Sequence, residues 1–218
     1  MEITQLHPAL VVVDVQVDFC PGGALAVEGG DKVVPRLNAV IGTFAKFGLP
    51  TFFTMDYHPP DHVSFQSQGG VWPRHCVQGT DGAKLHPDLR VPAGATIFRK
   101  GDDPLKDAYS GFEGTGLEGA MKRLGVDEMY IGGLTTDYCV KESALDARRA
   151  GFRVFLLEDC VRAVDAKLGD GTRALVVMKE AGVEFTTVSA TIERLNKFYM
   201  KLNRDDSPAR LSRISKVA

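Results

Sequence analysis

Hydrophobic positions follow two patterns along this chain. Short runs of consecutive apolar residues, such as A-L-V-V-V-D-V at 9–15, predict strands that are covered on both faces. Segments in which apolar residues recur every three or four positions, such as 31–48, predict amphipathic helices. The predicted strands are 9–15, 51–55, 95–99, 127–131, 152–157 and 183–187. The predicted helices are 31–48, 112–125, a segment from about 136 to 151, 172–181 and 190–200.

The predicted strands and helices alternate, and all but one of the connections are short. This order predicts an α/β fold, a three-layer α/β/α sandwich around a mainly parallel six-stranded sheet. No repeat or linker divides the sequence, so residues 1–218 are predicted to form a single domain. The exception is the connection over 56–92, and a loop this long in a compact domain usually carries function. The polar tail, 201–218, is predicted to be frayed or packed on a partner subunit of a homo-oligomer.

Composition excludes several classes of function. The 26 basic and 28 acidic residues leave a formal charge of −2, which gives no electrostatic reason to bind nucleic acid or an anionic membrane. No apolar run approaches the roughly 20 residues of a membrane span, and M-E-I-T-Q-L-H-P has neither a basic leader nor an apolar signal core. Four scattered cysteines without a C-x-x-C pair predict reduced thiols in the cytoplasm.

The stretch M-Y-I-G-G-L-T-T-D-Y-C-V-K-E-S-A-L-D predicts a buried strand, a tight polar turn and a helix. Thr136 or Asp137 is predicted to cap that helix, which puts Cys139 in its first turn. Unpaired N–H groups and the helix dipole favour a thiolate there, so Cys139 is a candidate nucleophile. The alternative is a small buried core residue.

Two further residues fall at the carboxyl ends of predicted strands. Asp14 lies near the end of the first strand, and Lys100 follows the third. In a parallel sheet both would meet Cys139 at one edge. Attack by a cysteine needs a base and later an acid, which Asp14 could provide while Lys100 holds the carboxylate. A helix-capping or loop-tethering role for Asp14 and a solvated side chain for Lys100 are the alternatives.

The long loop contains a second group of polar residues. Asp56 and His58 form a D-x-H pair, His62 follows, and His75 lies in W-P-R-H-C. Alternate residues of an extended segment can point the same way. One carboxylate with two or three imidazoles suits Zn²⁺, Fe²⁺ or Mn²⁺. The alternative is a set of loop histidines that make ordinary hydrogen bonds.

Taken together, these segments resemble the nicotinamidase/pyrazinamidase branch of the isochorismatase-like cysteine hydrolases. The resemblance covers about 10–187, in the same order along the chain. The D-x-H…H motif marks this branch, since many other members of the superfamily lack it. The segments that carry the resemblance are D-V-Q-V-D-F-C with P-G-G-A-L, T-M-D-Y-H, W-P-R-H-C-V-Q-G-T, F-R-K-G, Y-S-G-F and G-G-L-T-T-D-Y-C-V.

The resemblance implies a role for each matching residue. The catalytic set would be Cys139 as nucleophile, Asp14 as general base and acid, and Lys100. The metal ligands would be Asp56, His58 and His75, and His62 matches a histidine that is a ligand in only some members. The substrate pocket would be lined by Phe19, Trp72 and Tyr109. Tyr138 and Val17 differ from residues common in relatives and would tune substrate preference.

The resemblance also implies a cis peptide bond at Leu134–Thr135, with the N–H groups of Thr135 and Cys139 forming an oxyanion hole. The implied function is that of a cytoplasmic nicotinamidase with one divalent metal ion. Zinc is the expected metal, and iron or manganese are the alternatives. It would make nicotinate and ammonia through a thioester in NAD salvage, and would also hydrolyse pyrazinamide. Two alternatives remain: a related cysteine hydrolase acting on another small amide, a carbamoyl compound or isochorismate, and a non-enzymatic domain that binds a small ligand.

Overall fold

The structure is a computed structural model that describes residues 6–205. Its centre is one sheet of six parallel strands in the order β3-β2-β1-β4-β5-β6. The strands are β1 Pro8–Val13, β2 Thr51–Asp56, β3 Thr96–Lys100, β4 Glu128–Leu134, β5 Arg153–Arg162 and β6 Glu184–Thr186. The helices are α1 Val33–Lys46, α2 Leu117–Arg123, α3 Lys141–Arg149, α4 Asp170–Glu180 and α5 Val188–Asp205.

Helices cover both faces of the sheet. On one face, α1 and α5 pack against the side chains of alternate strand residues such as Leu10 and Val12. On the other face, α2, α3 and α4 pack against Ala9, Val11 and Val13. All six residues of β1 are buried, because a central parallel strand has helices on both sides. The predicted three-layer α/β/α fold is confirmed.

Several boundaries differ from the prediction for identifiable reasons. Helix α2 begins at Leu117 rather than at 112, because Gly114 and Gly116 have φ of +69° and +79°, outside the helical region. Strand β5 continues to Arg162, beyond the predicted end at 157, with a register shift where it pairs with β4. Helix α5 continues through the start of the predicted tail to Asp205, and 206–218 lie outside the described residues.

The topology gathers polar residues at one edge of the sheet. Since all six strands are parallel, their carboxyl ends lie together. Asp56 ends β2 and pairs in register with Lys100, which ends β3. Asp14 directly follows β1, and Thr135 directly follows β4. Within residues 6–205, no helix has the length and apolar character needed to cross a membrane.

Candidate active site

The ammonium group of Lys100 lies at the centre of a buried cluster. Its Nζ is 2.9 Å from Asp14 Oδ2 and 3.3 Å from Cys139 Sγ, and it also donates to Asp56 Oδ1 and to the carbonyl of Ala108. The Lys100 side chain has no exposed surface. The structure therefore brings Asp14, Lys100 and Cys139 together, as the parallel topology predicted.

The charges of this cluster stabilise the lysine as a cation. Burial alone would lower the pKa of Lys100, but Asp14, Asp56 and Cys139 raise it well above its usual value. Burial would likewise raise the pKa of Asp56, but Lys100 and the neighbouring His58 bring it well below its ordinary value. A positive Lys100 and a negative Asp56 are therefore in direct contact.

Asp14 is held in place from a second strand. The hydroxyl of Thr54 donates a hydrogen bond of 2.6 Å to Asp14 Oδ1, and both residues are completely buried. The other oxygen, Oδ2, is close to Lys100 but accepts no aligned hydrogen bond within the described part of the chain. Burial raises the pKa of the Asp14 carboxyl in spite of Lys100. An oxygen with an unused lone pair and a raised proton affinity suits a general base.

Cys139 departs from the prediction in two ways. It lies in a π-helical turn, Thr136–Val140, that precedes α3, rather than in the first α-helical turn. Burial raises the pKa of the Cys139 thiol well above its usual value, against the lowering effect of Lys100. The expectation of a thiol pKa lowered by the helix end is wrong, because the effect of burial outweighs the lowering effects. Attack by the sulfur therefore requires a base that removes its proton.

A matching correction applies to the predicted helix cap. Neither Thr136 nor Asp137 caps this helix with its side chain. Instead, the buried Asp137 carboxylate accepts hydrogen bonds from the N–H groups of Val164 (3.0 Å) and Asp165 (2.8 Å). The carboxylate thus fastens the loop after β5 to the turn that carries Cys139.

The predicted metal ligands also come together. Asp56, His58 and His75 are buried, and one potential ligand atom from each lies within 4.8 Å of the others. The Nδ1 atoms of the two imidazoles lie 2.9 Å from the carbonyl of Gly101 and 2.8 Å from that of Pro73, respectively. Because a carbonyl only accepts, both Nδ1 atoms carry the proton and both Nε2 lone pairs are available to a metal.

His62 is arranged differently from the other two histidines. Its Nδ1 is 2.7 Å from the hydroxyl of Ser64, and its Nε2 is 3.1 Å from the carbonyl of Lys106. The centre of its ring lies 4.3 Å from that of His58, and the two planes are tilted by 33°. Both ring nitrogens of His62 are therefore hydrogen-bonded within the protein. His62 lies behind the three candidate metal ligands rather than among them.

An aromatic pocket opens onto both groups. Trp72 Nε1 donates a 3.0 Å hydrogen bond to the hydroxyl of Tyr109, and the Trp72 ring meets that of Tyr138 edge-on at 4.9 Å. The four residues predicted to contact substrate line this pocket, together with the two predicted oxyanion-hole residues and all three candidate metal ligands. Val17, which was expected to adjoin the site, is not among the lining residues. The lining residues already named are Phe19, Trp72, Tyr109, Tyr138, Thr135, Cys139, Asp56, His58 and His75. The Leu134–Thr135 peptide bond is cis, as the resemblance implied.

Sequence reasoning missed several supporting residues. Leu25 and Val164 line the pocket, and nothing in their local pattern distinguishes them from core residues. Thr54 lies two residues before Asp56 in T-M-D-Y-H, and alternation along a strand was the one available signal for it. Among the described residues, the non-glycine positions with positive φ are Asp14, Cys76 and Asp165, and all three adjoin this site.

Comparison with known proteins agrees with this geometry. The family model described as "Isochorismatase domain" matches residues 8–190. The nicotinamidase of Escherichia coli K12 is 39% identical over 202 residues, covering 83% of this chain and 95% of that protein.

Two solved structures match in fold as well as in sequence. The pyrazinamidase of Pyrococcus horikoshii in complex with zinc is 46% identical with a TM-score of 0.79, covering 83% of this chain and 99% of that one. PnC1 from L. infantum in complex with nicotinate is 37% identical with a TM-score of 0.78, covering 84% and 93%. The resemblance predicted from the motifs is confirmed: the chain belongs to the isochorismatase family and is an amidohydrolase of its nicotinamidase and pyrazinamidase branch.

Proposed function

We propose that this chain hydrolyses nicotinamide to nicotinate and ammonia, a step of NAD salvage, and that it also hydrolyses pyrazinamide. The observation that carries the proposal is one aromatic pocket that adjoins both a Cys139–Lys100–Asp14 cluster and an Asp56–His58–His75 donor set. The relatives named for nicotinamide and pyrazinamide, and the neighbour that contains nicotinate, support this substrate class.

We assign the donor set to one divalent ion, zinc. Two imidazole Nε2 atoms and one carboxylate oxygen form a borderline ligand set that suits zinc and leaves positions open for other ligands. The similar protein in complex with zinc supports that choice. When bound, the ion would supply a Lewis-acidic anchor that orients the pyridine nitrogen of the substrate.

In the first half-reaction, Asp14 takes the proton from Cys139 Sγ as the sulfur attacks the carboxamide carbon. Lys100 remains protonated and keeps the sulfur and the carboxylate adjacent. The N–H groups of Thr135 and Cys139 would donate to the carbonyl oxygen as it becomes negative, and one such donor contributes about 3 kcal/mol in other enzymes. The C–N bond then breaks, Asp14 returns its proton to the leaving nitrogen, and ammonia leaves behind a thioester.

The second half-reaction reverses these proton movements. Asp14 removes a proton from water, and the resulting hydroxide attacks the thioester carbon. The C–S bond breaks, the sulfur of Cys139 recovers a proton from Asp14, and nicotinate is released. One water is consumed for each amide, and the enzyme returns to its starting protonation state. The same carboxyl thus acts as base and acid in both halves.

The pocket walls select for a flat ring. Trp72 and Tyr138 present one ring edge-on to the other, and Phe19 lies 5.6 Å from the ring of His75. Stacked and edge-on aromatic contacts favour a planar heteroaromatic amide over a flexible aliphatic one. This feature supports nicotinamide and pyrazinamide over the alternative carbamoyl substrates.

The test is ammonia release from nicotinamide by wild type, by Cys139→Ala and by the control Cys160→Ala. Cys160 is also buried but lies in β5, outside the pocket lining. We expect ammonia from wild type and from the control, and none above background from Cys139→Ala. An active Cys139→Ala protein would refute the mechanism. Turnover of a carbamoyl compound or isochorismate without turnover of nicotinamide would favour the first alternative, and no turnover at all would favour the non-enzymatic one.

A further inference from the structure

The side chain of Gln16 is completely buried and bonds to the backbone of a candidate metal ligand. Its Oε1 accepts a 2.9 Å hydrogen bond from the N–H of Asp56, and its Nε2 donates a 2.8 Å hydrogen bond to the carbonyl of the same residue. Nε2 also donates to the carbonyl of Ala83 at 2.9 Å. One amide therefore occupies both backbone polar groups of Asp56.

These bonds take the place of missing sheet pairing. The last backbone hydrogen bond from the β1 side to β2 runs from the N–H of Asp14 to the carbonyl of Thr54. There φ of Asp14 is +47°, and the chain turns away from β2. In a parallel strand, alternate residues direct both backbone groups to the same neighbour, so Asp56 also faces β1. Without Gln16, its N–H and carbonyl would be buried beside no strand.

Gln16 is itself fixed by a second set of bonds. The N–H of Val17 donates to the carbonyl of Lys84, and the N–H of His86 donates to the carbonyl of Val15. This short antiparallel pairing places Gln16 opposite Leu85. The end of the long loop is thus joined to the segment after β1, and the amide reaches inward from that junction.

The bonds from Gln16 hold the backbone that carries the Asp56 carboxylate. This carboxylate belongs both to the Lys100 cluster and to the candidate metal-ligand set. Its Oδ1 accepts from Lys100, and its Oδ2 lies 3.7 Å from His58 Nε2. The β3 side of β2 is held by a bond from the N–H of Tyr57 to the carbonyl of Lys100. On the β1 side, the bonds to the backbone of Asp56 come from the side chain of Gln16.

We propose that Gln16 is a positioning residue that completes the sheet at Asp56 and so sets its carboxylate for zinc binding. The inference rests on the proposed function, because it takes Asp56 to be a zinc ligand. Groups that orient metal ligands typically change affinity by about 10–100-fold when they are replaced.

The test compares two variants with a matched control. Gln16→Met keeps the length of the side chain but removes its polar atoms. Gln16→Glu keeps the shape of the side chain. A neutral glutamic acid at this buried position can accept a hydrogen bond from the N–H of Asp56 and can donate one hydrogen bond where the amide donates two. Asn38→Leu removes a similar pair of bonds, to the backbone of Asp88 and Arg90, both 2.8 Å long, at residues outside the pocket lining.

The readout is the zinc dissociation constant of each folded protein, measured by competition with a chromophoric chelator, beside kcat and KM for nicotinamide. We expect Gln16→Met to bind zinc at least about 10-fold more weakly, Gln16→Glu to fall between it and wild type, and Asn38→Leu to match wild type. Unchanged zinc affinity in Gln16→Met, or in Gln16→Glu if the Met variant does not fold, would overturn the inference.

Other outcomes are equally informative. Unfolding of both Gln16 variants beside a folded Asn38→Leu would assign Gln16 to the fold alone and also overturn the inference. If wild type neither binds zinc nor releases ammonia from nicotinamide, the proposed function fails. If wild type does both and the Gln16 variants bind zinc normally, this inference fails alone.

Discussion

Replacement of Lys100 by methionine tests the charge balance at the centre of the site. Methionine keeps most of the volume of the side chain and removes its cation, which leaves the buried carboxyls of Asp14 and Asp56 without that positive charge. At an effective dielectric constant of about 20, unit charges separated like Lys100 Nζ and Asp14 Oδ2, 2.9 Å apart, attract by about 6 kcal/mol. Part of that attraction offsets the desolvation of the lysine. Removal of one member of a buried pair costs about 3–5 kcal/mol of stability.

The loss of stability should depend on pH in a defined direction. Lys100 lowers the pKa of both carboxyls, so its removal raises both, and burial already holds that of Asp14 above the unfolded value of about 3.9. A carboxyl whose pKa is raised by folding destabilises the folded state only above its unfolded pKa. In wild type, the lowered pKa of Asp56 adds stability that is lost as the pH falls. The difference between Lys100→Met and wild type should therefore be largest near neutral pH. It should be smaller near pH 4, where raised carboxyl pKa values no longer destabilise the variant, although wild type keeps the contribution of Asp56 to still lower pH.

The assay is urea unfolding of both proteins with metal removed by a chelator, at about pH 5 and about pH 7.5. We expect a deficit of about 3–5 kcal/mol at the higher pH and a smaller one at the lower pH. The double variant Asp14→Asn, Lys100→Met removes one carboxylate with the cation and should recover part of the stability while remaining inactive. A deficit below about 1 kcal/mol, the value typical of an exposed pair, or one that does not change with pH, would refute this account of the cluster.

Two comparisons test the metal half of the site. His75→Ala should lose its zinc in metal analysis after dialysis, whereas His62→Ala should keep about one ion per chain, because both nitrogens of His62 are held by the protein; equal loss in both variants would contradict the assignment. Gly101→Ala should weaken zinc binding, since a methyl group there would lie 2.5 Å from a ring carbon of the adjacent ligand, His58. At Gly114, φ is similar and an added methyl group would have no atom within 4 Å. Gly114→Ala should therefore cost only backbone strain of about 1–3 kcal/mol and retain zinc in the same metal analysis.

The sequence predicted the fold because burial on both faces leaves a simple pattern. Six apolar runs and the helical segments between them were recognisable, and the parallel order then placed Asp14, Lys100 and Cys139 at one edge. The boundaries were less accurate where tertiary contacts override local preference. Strand β5 continues to Arg162 because it pairs beyond the shift in register with β4, and that pairing cannot be read from β5 alone.

The environment of the nucleophile could not be predicted from its neighbours in sequence. The helix end beside Cys139 suggested a thiolate, but the pKa depends on burial by segments far away in the chain. Asp137 looked like a helix cap because caps are local, whereas its partners Val164 and Asp165 are 27 and 28 residues distant. Side chains that bond to remote backbone have no short-range signature.

Asp56 shows why the two halves of the site must be understood together. The D-x-H motif suggested a metal ligand, and Lys100 after the predicted strand 95–99 suggested a catalytic amine, but spacing gave no reason to connect them. The connection is made by the register of β2 and β3, which sets Asp56 beside Lys100 and lets one carboxylate face the ammonium with Oδ1 and His58 with Oδ2. Any substitution that moves this backbone therefore changes both the ligand set and the charge beside Cys139. The buried amide of Gln16 contacts the backbone of Asp56 and not its carboxylate. Its replacement is nevertheless expected to affect both the metal-ligand set and the charge beside Cys139.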